Sequence, residues 1–143
     1  MTKAHELANK IAHTMLSREG TGAAWGIEIE DAREGYSRIA MLVRADMLNG
    51  HATCHGGMIF ALADSAFAYA CNSRNVTSVA QHASIAFLSP GREGDRLVAE
   101  AREEALSGRS GVYTVTVTNQ KGEKIAVFQG LSRSIGGPLV ADN

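Results

Sequence analysis

The sequence contains few cysteines and no excess of either charge. Of its 143 residues two are cysteines, 14 are lysine or arginine and 15 are aspartate or glutamate, so the formal net charge is -1. This balance, without any block of like charges, argues against a nucleic acid as partner. The spacing of Cys54 and Cys71 fits no zinc-binding motif, and a cytosolic domain of this size needs no disulfide. We therefore expect two free thiols.

Long apolar runs are absent as well. The first residues, MTKAHELANKIAHTML, carry a polar or charged side chain every few positions, unlike the apolar core of a signal peptide. No later stretch is long enough to span a membrane. These absences predict a cytoplasmic protein, and the length fits a single domain with one hydrophobic core.

The apolar pattern predicts two helices. Between positions 7 and 16 apolar residues recur at steps of three and four, which predicts a short amphipathic helix that ends near Glu19 and Gly20. The segment 56–72, GGMIFALADSAFAYACN, is apolar almost all the way round and rich in helix formers. It predicts a long, buried helix.

The remaining segments predict six antiparallel strands. Apolar and polar residues alternate over 24–44, where Glu34 and Gly35 mark the turn of a hairpin. Four further alternating segments, separated by turn residues, are 79–88, 95–105, 111–118 and 124–133. Each strand has one face to cover, and the buried helix is the available partner. The sequence therefore predicts an α+β domain with one antiparallel sheet curled about a central helix.

Asp64 is unusual for its position in this helix. It is the only charged residue between His55 and Arg74, and its neighbours are mostly alanine, leucine and phenylalanine. Burying a carboxylate there is costly unless the group is paired or has a function. Asp64 could accept hydrogen bonds from a neighbouring strand, lie on an exposed stripe of the helix, or take part in a reaction.

Small and polar residues precede the helix, in the run NGHATCHGG from Asn49 to Gly57. At a helix start the N–H groups of Gly56 and Gly57 would be free and point outward. Glycine lets a substrate approach the backbone closely, and the positive end of the helix dipole favours developing negative charge. This helix start is therefore suited to bind a carbonyl oxygen as it becomes an oxyanion. Alternatively, the glycines serve only the sharp turn.

The distance between these two features has a consequence for the number of chains. Gly56 precedes Asp64 by eight positions, which is about 12 Å along one helix. The two residues of one chain cannot contact the same carbonyl group. If both serve one reaction, Gly56 of one chain must meet Asp64 of another across a two-fold interface. This hypothesis predicts an obligate dimer.

Several motifs resemble those of a known family. They are Asn49-Gly50-His51, His55-Gly56-Gly57, Leu62-Ala63-Asp64, and the runs FLSPG at 87–91 and GLSRS at 130–134. With them the sequence resembles the hotdog-fold thioesterases, in particular those of bacterial phenylacetate degradation, over nearly its whole length. The resemblance implies one hotdog domain over 1–143, a curved antiparallel β-sheet wrapped around a long central helix. It also implies a homotetramer, built as a dimer of dimers, that hydrolyses aryl- or arylacetyl-CoA thioesters without a metal or other cofactor.

The resemblance also implies roles for individual residues. Asp64 matches the catalytic carboxylate, and Gly56 matches the amide that polarises the thioester carbonyl. Asn49 matches a polar residue near the attacking water or the substrate, and His55 matches an assisting residue. Some relatives hold the water with a serine or threonine on the strand after the helix, where this sequence has Ala80.

Other residues are candidates for binding the substrate. CoA phosphates need cations, and four basic residues near turns or strand ends could supply them: Arg92, Arg109, Lys121 and Arg133. Gly57, Met58 and Phe67 are expected to line the substrate site. The width of the acyl pocket would depend on Met58, Phe60, Phe67 and Tyr69.

The chemistry itself has open alternatives. Thioester hydrolysis hardly needs a general acid, because a thiolate leaves readily, so one carboxylate and one amide suffice. Asp64 could deprotonate a water or attack the carbonyl directly, and we favour the first. Other hypotheses are a hotdog dehydratase or hydratase using Asp64 with His55, and an acyl-CoA-binding module without catalysis. A metal at His51, Cys54 and His55, or a Cys54 nucleophile, has weaker support, because glycines flank these residues in a loop.

Overall fold

The computed structural model describes residues 1–141. Along the chain come the helices and strands α1 (Lys3–Arg18), α2 (Gly20–Trp25), β1 (Glu28–Arg33), β2 (Tyr36–Leu42), a short 3-10 helix (Ala45–Met47), α3 (Gly56–Cys71), β3 (Ser78–Phe87), β4 (Arg96–Ser107), β5 (Ser110–Thr118) and β6 (Lys124–Ser134). The predicted hairpin and four later strands are confirmed, although β1 begins only at Glu28. None of the helices in these residues is long and apolar enough to cross a membrane.

The six strands form one antiparallel sheet in the order β1-β2-β4-β5-β6-β3. The turn at Glu34 and Gly35 joins β1 to β2, and Gly35 has the positive φ of 70° that such a turn requires. The chain leaves the sheet after β2, forms α3 and returns as β3 at the far edge. The two edge strands are therefore β1 and β3.

Helix α3 packs across one face of the sheet and forms the core with it. On β5 the side chains of Tyr113, Val115 and Val117 alternate toward α3 and are buried, as their spacing predicts. Phe67 of α3 lies among them, with its ring centroid 5.6 Å from that of Tyr113 and 5.7 Å from that of Phe128. The α+β architecture that the sequence predicts is confirmed.

The short helix α2 is absent from the sequence prediction. Its sequence, GTGAAW, contains two glycines, which disfavour a helix. The helix forms against α1, where Gly22 packs so closely on the Leu16 side chain that an added Cβ would force this side chain to move. Tertiary packing rather than local propensity therefore stabilises α2.

Strand β3 differs from the other strands of the sheet in its exposure. Most of its ten residues are exposed, and they include Val79 at 46% and Phe87 at 53%. Its one neighbour within the described chain is β6, so the backbone groups of the opposite edge have no strand to pair with. A long, open edge of this kind is ready to pair with another chain.

Candidate active site

The loop before α3 is closed by the side chain of Asn49. Its Oδ1 accepts hydrogen bonds from the backbone N–H groups of His51 at 2.9 Å and Thr53 at 3.1 Å, and from the Thr53 hydroxyl at 3.2 Å. Within residues 1–141 the Asn49 amide nitrogen donates to no acceptor. Asn49 therefore shapes the loop with its oxygen and has its N–H groups free for a ligand.

The loop is also tied to neighbouring segments through its backbone. The Cys54 N–H donates to the carbonyl of Gly91 at 2.7 Å, and the His55 N–H donates to the carbonyl of Met47 at 2.8 Å. These bonds fix the loop between the 3-10 helix and the segment that follows β3. The start of α3 is thus held on both sides.

His55 is the N-cap residue of α3. Its Nδ1 accepts a hydrogen bond from the N–H of Gly57 at 2.8 Å, and its carbonyl accepts from Met58 and Ile59. A neutral ring that accepts at Nδ1 carries its proton on Nε2. The expectation of a free N–H at Gly57 is therefore wrong, because the His55 side chain occupies it. In the structure His55 has a definite role as the cap.

Gly56 keeps the free N–H that the sequence predicts at this helix start. No acceptor in the described part of the chain receives a hydrogen bond from it. Gly56 lines a groove of about 410 Å³, whose other lining residues are Asn49, Thr53, Cys54, Ile59, Phe87, Leu88, Ser89 and Pro90. A Cβ on Gly56 would lie 3.1 Å from the Phe87 ring. The donor and the helix dipole together suit this groove for a carbonyl oxygen that gains negative charge.

Asp64 lies on the less buried side of α3, which also carries Ala61 and Ala68. The apolar composition of α3 predicts a helix that is covered all the way round, and the structure differs, because this side of the helix is only partly buried. Among residues 1–141 no donor or cation pairs with the Asp64 carboxylate, so a bond to a neighbouring strand is ruled out for the single chain. Burial, and then the charge of Glu19, raise the pKa of Asp64. The small alanine side chains leave this carboxylate accessible.

The Gly56 amide and Asp64 belong to one continuous helix, Gly56–Cys71. Their separation of about 12 Å along the axis therefore applies to the folded chain. A single chain brings together Gly56, Asn49 and the groove, but not Asp64. Each chain contains two halves of a site that do not face each other.

The candidate cations lie at two ends of the molecule. Arg92 and Lys121 line a second groove of about 220 Å³, which shares Ser89 and Pro90 with the groove at Gly56. Arg109 lies in the turn between β4 and β5, and Arg133 pairs with Val79 at the start of β3. Because Phe87 ends that strand, Arg133 is about 26 Å from the groove at 3.3 Å per strand residue. Only Arg92 and Lys121 are near Gly56 of the same chain.

Two residues expected to line the acyl pocket lie in the core instead. Phe67 is 1% exposed and packs closely on Gly130, where a Cβ would lie 2.8 Å from its ring. Tyr69 is fully buried. Phe67 packs against Tyr113 of β5 and Phe128 of β6, whereas the Tyr69 hydroxyl points to the junction of α1 and α2. Met58 and Phe60 are only partly buried, so they stay candidates for contact with the substrate.

Glu19 makes a contact with α3 that the sequence did not reveal. Its carboxylate accepts a hydrogen bond from the Tyr69 hydroxyl, although the two residues are 50 positions apart. The signal available in the sequence was the tyrosine, because a buried hydroxyl needs a partner. The sequence did not indicate which residue that partner would be.

The metal and disulfide alternatives have no support in the geometry. Within the described residues no three His, Cys, Asp or Glu side chains come together as metal ligands, which includes His51, Cys54 and His55. Cys54 and Cys71 are both free thiols. Burial, followed by the charge of Asp95, raises the pKa of the Cys54 thiol. A raised pKa disfavours the thiolate that a cysteine nucleophile requires.

Comparison with known proteins gives a consistent assignment. Residues 51–126 match the model of the thioesterase superfamily. The acyl-coenzyme A thioesterase PaaI of Escherichia coli is 44% identical over 131 residues, which cover 92% of this chain and 94% of that protein. The E. coli PaaI structure, from the phenylacetic acid degradation operon, superposes with a TM-score of 0.93 at 43% identity, over 95% of this chain and 99% of that chain.

Two further solved structures are similar over most of the chain. An Asn-to-Asp mutant of the phenylacetic acid degradation protein PaaI from Thermus thermophilus has a TM-score of 0.79 at 37% identity, over 82% of this chain and 100% of that chain. A hypothetical thioesterase from Streptococcus pneumoniae, solved with coenzyme A, has a TM-score of 0.76 at 26% identity, over 78% of this chain and 90% of that chain.

Proposed function

The chain belongs to the thioesterase superfamily, and we propose that it hydrolyses acyl-CoA thioesters to the free acid and CoA. Aryl- and arylacetyl-CoA thioesters of the phenylacetyl-CoA kind are the proposed substrates. The E. coli relative is named as an acyl-CoA thioesterase and comes from a phenylacetic acid degradation operon. The Streptococcus structure was solved with coenzyme A, which supports the CoA part of the substrate.

The observation that carries the proposal is the unpaired Asp64 carboxylate on α3. Burial and the negative charge of Glu19 raise its pKa, which makes the ionised form a better proton acceptor. A carboxylate held for stability would have a cation or a hydrogen-bond donor beside it. The described residues give Asp64 neither, so it is free to act on a ligand.

In the proposed reaction the thioester oxygen accepts a hydrogen bond from the Gly56 N–H. A water molecule attacks the carbonyl carbon while Asp64 of the other chain takes its proton, which gives a tetrahedral oxyanion next to the Gly56 amide. The oxyanion then collapses, the carbon–sulfur bond breaks, and CoA leaves as a thiolate. The proton on Asp64 returns to the thiolate or to solvent, so no cofactor or metal is required.

Asn49 and His55 support this reaction from the Gly56 side. The Asn49 N–H groups border the groove and can bind the water or the substrate. His55 caps the helix through Gly57, which leaves Gly56 as the donor for the oxyanion. His55 thereby serves the reaction by positioning the backbone, and Gly57 contributes to the cap.

The proposed site needs two chains, with β3 as the surface that joins them. Its outer edge is free and its ends carry the exposed Val79 and Phe87. If two β3 strands pair antiparallel about a two-fold axis, the start of one strand lies beside the end of the other. Arg133, near Val79, would then approach the partner's groove and join Arg92 as a phosphate ligand. A dimer of such dimers is the proposed homotetramer.

The location proposed for the enzyme is the cytoplasm. The free thiols of Cys54 and Cys71 favour a reducing compartment. Cell fractionation with a tagged chain would test it, and recovery in an extracytoplasmic fraction would contradict it.

The direct test is release of free CoA from phenylacetyl-CoA, benzoyl-CoA and medium-chain acyl-CoAs, followed with a thiol reagent. Asp64→Asn keeps the shape of the side chain and should lower kcat by about 10²- to 10⁴-fold, the usual contribution of a general base. Asp46→Asn, at an exposed position, is the matched control and should leave kcat unchanged. Absence of thiol release from every thioester would refute the proposal, and hydration of an enoyl-CoA instead would identify a hydratase.

The role of Asp64 as a base has its own experiment. In a single turnover in H₂¹⁸O, general-base catalysis puts one ¹⁸O into the product acid at once. If Asp64 attacked the carbonyl and water then opened the mixed anhydride at the Asp64 carboxyl carbon, the ¹⁸O of the first turnover would enter the Asp64 carboxylate, and the product would carry none. Mass spectrometry of product and protein measures both, and ¹⁸O in Asp64 would contradict the general-base role.

A further inference from the structure

A second cavity lies at the end of the sheet where β3 begins and β6 ends, on the face that packs against α3. Its volume is about 130 Å³, and around Tyr113 its lining includes six polar or charged side chains: Arg74, Arg109, Ser78, Ser110, Ser132 and Ser134. We call it the polar pocket. Elsewhere on this face the inward side chains of β5 and β6 are apolar, as at Val115, Val117 and Phe128. As far as the structure describes the chain, no aspartate or glutamate lines the polar pocket, so it suits a ligand that accepts hydrogen bonds.

The Tyr113 hydroxyl supplies the polar pocket with a donor. Tyr113 is 1% exposed, and among residues 1–141 no acceptor receives a hydrogen bond from its O–H, whereas Tyr36 and Tyr69 each donate to a glutamate carboxylate. Its cationic neighbour Arg74 has only donors and cannot accept the proton. Burial, and then the charge of Glu103, raise the pKa of Tyr113 to about 12, so the proton stays in place. The hydroxyl is therefore available to an acceptor that enters the pocket.

Arg109 supplies the polar pocket with a positive charge. The other cation, Arg74, lies 2.7 Å from a carboxylate oxygen of Glu103 and 3.3 Å from one of Glu34, which offset its charge. The backbone carbonyl of Arg109 accepts a hydrogen bond from the Ser134 N–H at 2.8 Å, which fixes the β4–β5 turn on β6. The exposed guanidinium of Arg109 pairs with no group in the described chain. A guanidinium beside hydroxyl donors is suited to bind a phosphate group.

The polar pocket lies on the same side of α3 as Asp64. Cys71 lines the pocket and follows Asp64 by seven positions, which is two turns of the helix. Residues with this spacing share one face, so the pocket lies about 10 Å beyond Asp64, toward the end of α3. Gly56 of the same chain lies in the opposite direction, at the helix start. The chain that supplies Asp64 to a reaction therefore also supplies the polar pocket.

Pairing of two chains along β3 would place the polar pocket of one chain beside the groove of the other. Ser78, in the lining of the pocket, begins β3, and Phe87, in the lining of the groove at Gly56, ends it. In the proposed antiparallel arrangement the start of each strand lies beside the end of the other. Exposed apolar side chains stand at both places, Val76 and Leu106 at the polar pocket and Phe87 at the groove. They would cover one another, which favours this arrangement.

We propose that the polar pocket binds a phosphate group of the CoA whose thioester lies in the groove of the other chain, with Arg109 and the Tyr113 hydroxyl as its ligands. The proposal rests on the proposed function for the identity of the ligand and for the pairing along β3. A phosphate accepts hydrogen bonds from both groups, and Arg109 neutralises part of its charge. Free phosphate has the same chemistry, so the experiments must separate it from CoA.

The first test compares two substrates that differ in the presence of phosphate. Arg109→Gln should lower kcat/KM for phenylacetyl-CoA by about tenfold, mainly through KM, because it removes a contact with the bound substrate. S-phenylacetyl-N-acetylcysteamine carries no phosphate, so its kcat/KM should not change. Tyr113→Phe should act in the same direction by about threefold, with an unchanged melting temperature. Arg102→Gln, at an exposed position outside the pocket lining, is the matched control and should change neither substrate. An unchanged value for phenylacetyl-CoA, or an equal loss with both thioesters, would overturn the proposal.

Mixed dimers test which chain provides the pocket. When Asp64→Asn chains are co-expressed with Gly56→Pro chains, which lack the Gly56 N–H, the intact site of each mixed dimer takes Asp64 from the Gly56→Pro chain. Arg109→Gln added to that chain should raise KM for phenylacetyl-CoA. The same substitution added to the Asp64→Asn chain should leave KM at the mixed-dimer value. The reverse result would contradict the assignment of the pocket to the chain that carries Asp64.

A binding measurement does not depend on turnover. In calorimetry CoA and adenosine 3′,5′-bisphosphate should bind to Arg109→Gln about tenfold more weakly than to the wild type, whereas pantetheine should bind both equally. Unchanged affinity for CoA would overturn the proposal. Inorganic phosphate that bound as tightly as CoA, and more weakly to the variant, would identify a site for free anions and overturn the assignment to CoA. If no thioester released thiol, the proposed function would fail, and Arg109-dependent binding of CoA would still support the pocket.

Discussion

Gly56 offers a test in which two substitutions differ mainly in one hydrogen-bond donor. Gly56→Pro removes the backbone N–H, whereas Gly56→Ala keeps it. Gly56 is the first residue of α3, the helical position that proline favours. The preceding residue, His55, has φ of -58° and ψ of 134°, an extended conformation that suits a residue before proline. Both variants add a Cβ at the same place, 3.1 Å from the Phe87 ring.

The expected effects follow from the hydrogen bonds of this position. The Gly56 N–H bonds to nothing in the described chain, so its loss removes no stabilising contact and the melting temperature should change little. If it binds the oxyanion, its removal should lower kcat by about 10²- to 10³-fold, or roughly 2.7–4 kcal/mol. Gly56→Ala should lose less than about tenfold, because the donor remains. Steady-state thiol release from phenylacetyl-CoA measures both.

The comparison is decisive because the two variants share the added Cβ. Equal kcat values for Gly56→Pro and Gly56→Ala, with both proteins folded, would mean that the N–H does not bind the developing oxyanion. A large loss in Gly56→Ala would instead show that the groove tolerates no Cβ. In that case the steric effect would explain the proline variant as well, and the assignment of the amide would lose its support.

Three further predictions test the two-chain site, the titration of Asp64 and the core. When the Gly56→Pro and Asp64→Asn chains are co-expressed, half of all dimers contain one chain of each kind, and each mixed dimer has one intact site of two. About a quarter of wild-type activity should therefore return. No recovery in verified mixed dimers would contradict a shared site. Because folding raises the pKa of Asp64, its ionisation lowers stability as pH rises through that pKa. Asp64→Asn should therefore raise the urea midpoint of unfolding at neutral pH, but not at a pH below the ordinary pKa of aspartate. An equal change of the midpoint at the two pH values would refute this. Gly130→Ala should destabilise by about 1–3 kcal/mol through its contact with Phe67, whereas Gly50→Ala, with open space around it, should not.

The fold was largely predictable because its elements have strong local patterns. The alternation on β5 and the apolar run of α3 each indicate one kind of structure, and both appear within one or two residues of the predicted ends. Helix α2 was not predictable in this way. Its two glycines disfavour a helix, and the packing of Gly22 on Leu16 that stabilises it depends on a chain already folded.

The site was predictable where it depended on spacing along the chain. The separation of Gly56 from Asp64 follows from helix geometry alone and is unchanged in the structure. The state of Gly57 did not follow, because histidine is not among the preferred N-cap residues and its capping bond is visible only in three dimensions. The orientation of Phe67 was also hidden, since a helix that is apolar nearly all round gives no periodic signal for its buried face.

Stability and chemistry favour different residues in α3, and Asp64 is the position at which the two requirements differ. A second copy paired along β3 would cover the open edge of the sheet, which benefits any fold. It would not explain why α3 carries a partly buried carboxylate whose pKa is raised by burial and then by the charge of Glu19, because an amide of the same shape would avoid both costs. A chain shaped for stability alone would favour asparagine at position 64. The aspartate is therefore best explained by a reaction that needs a strong proton acceptor, supplied to a groove that the other chain forms around Gly56.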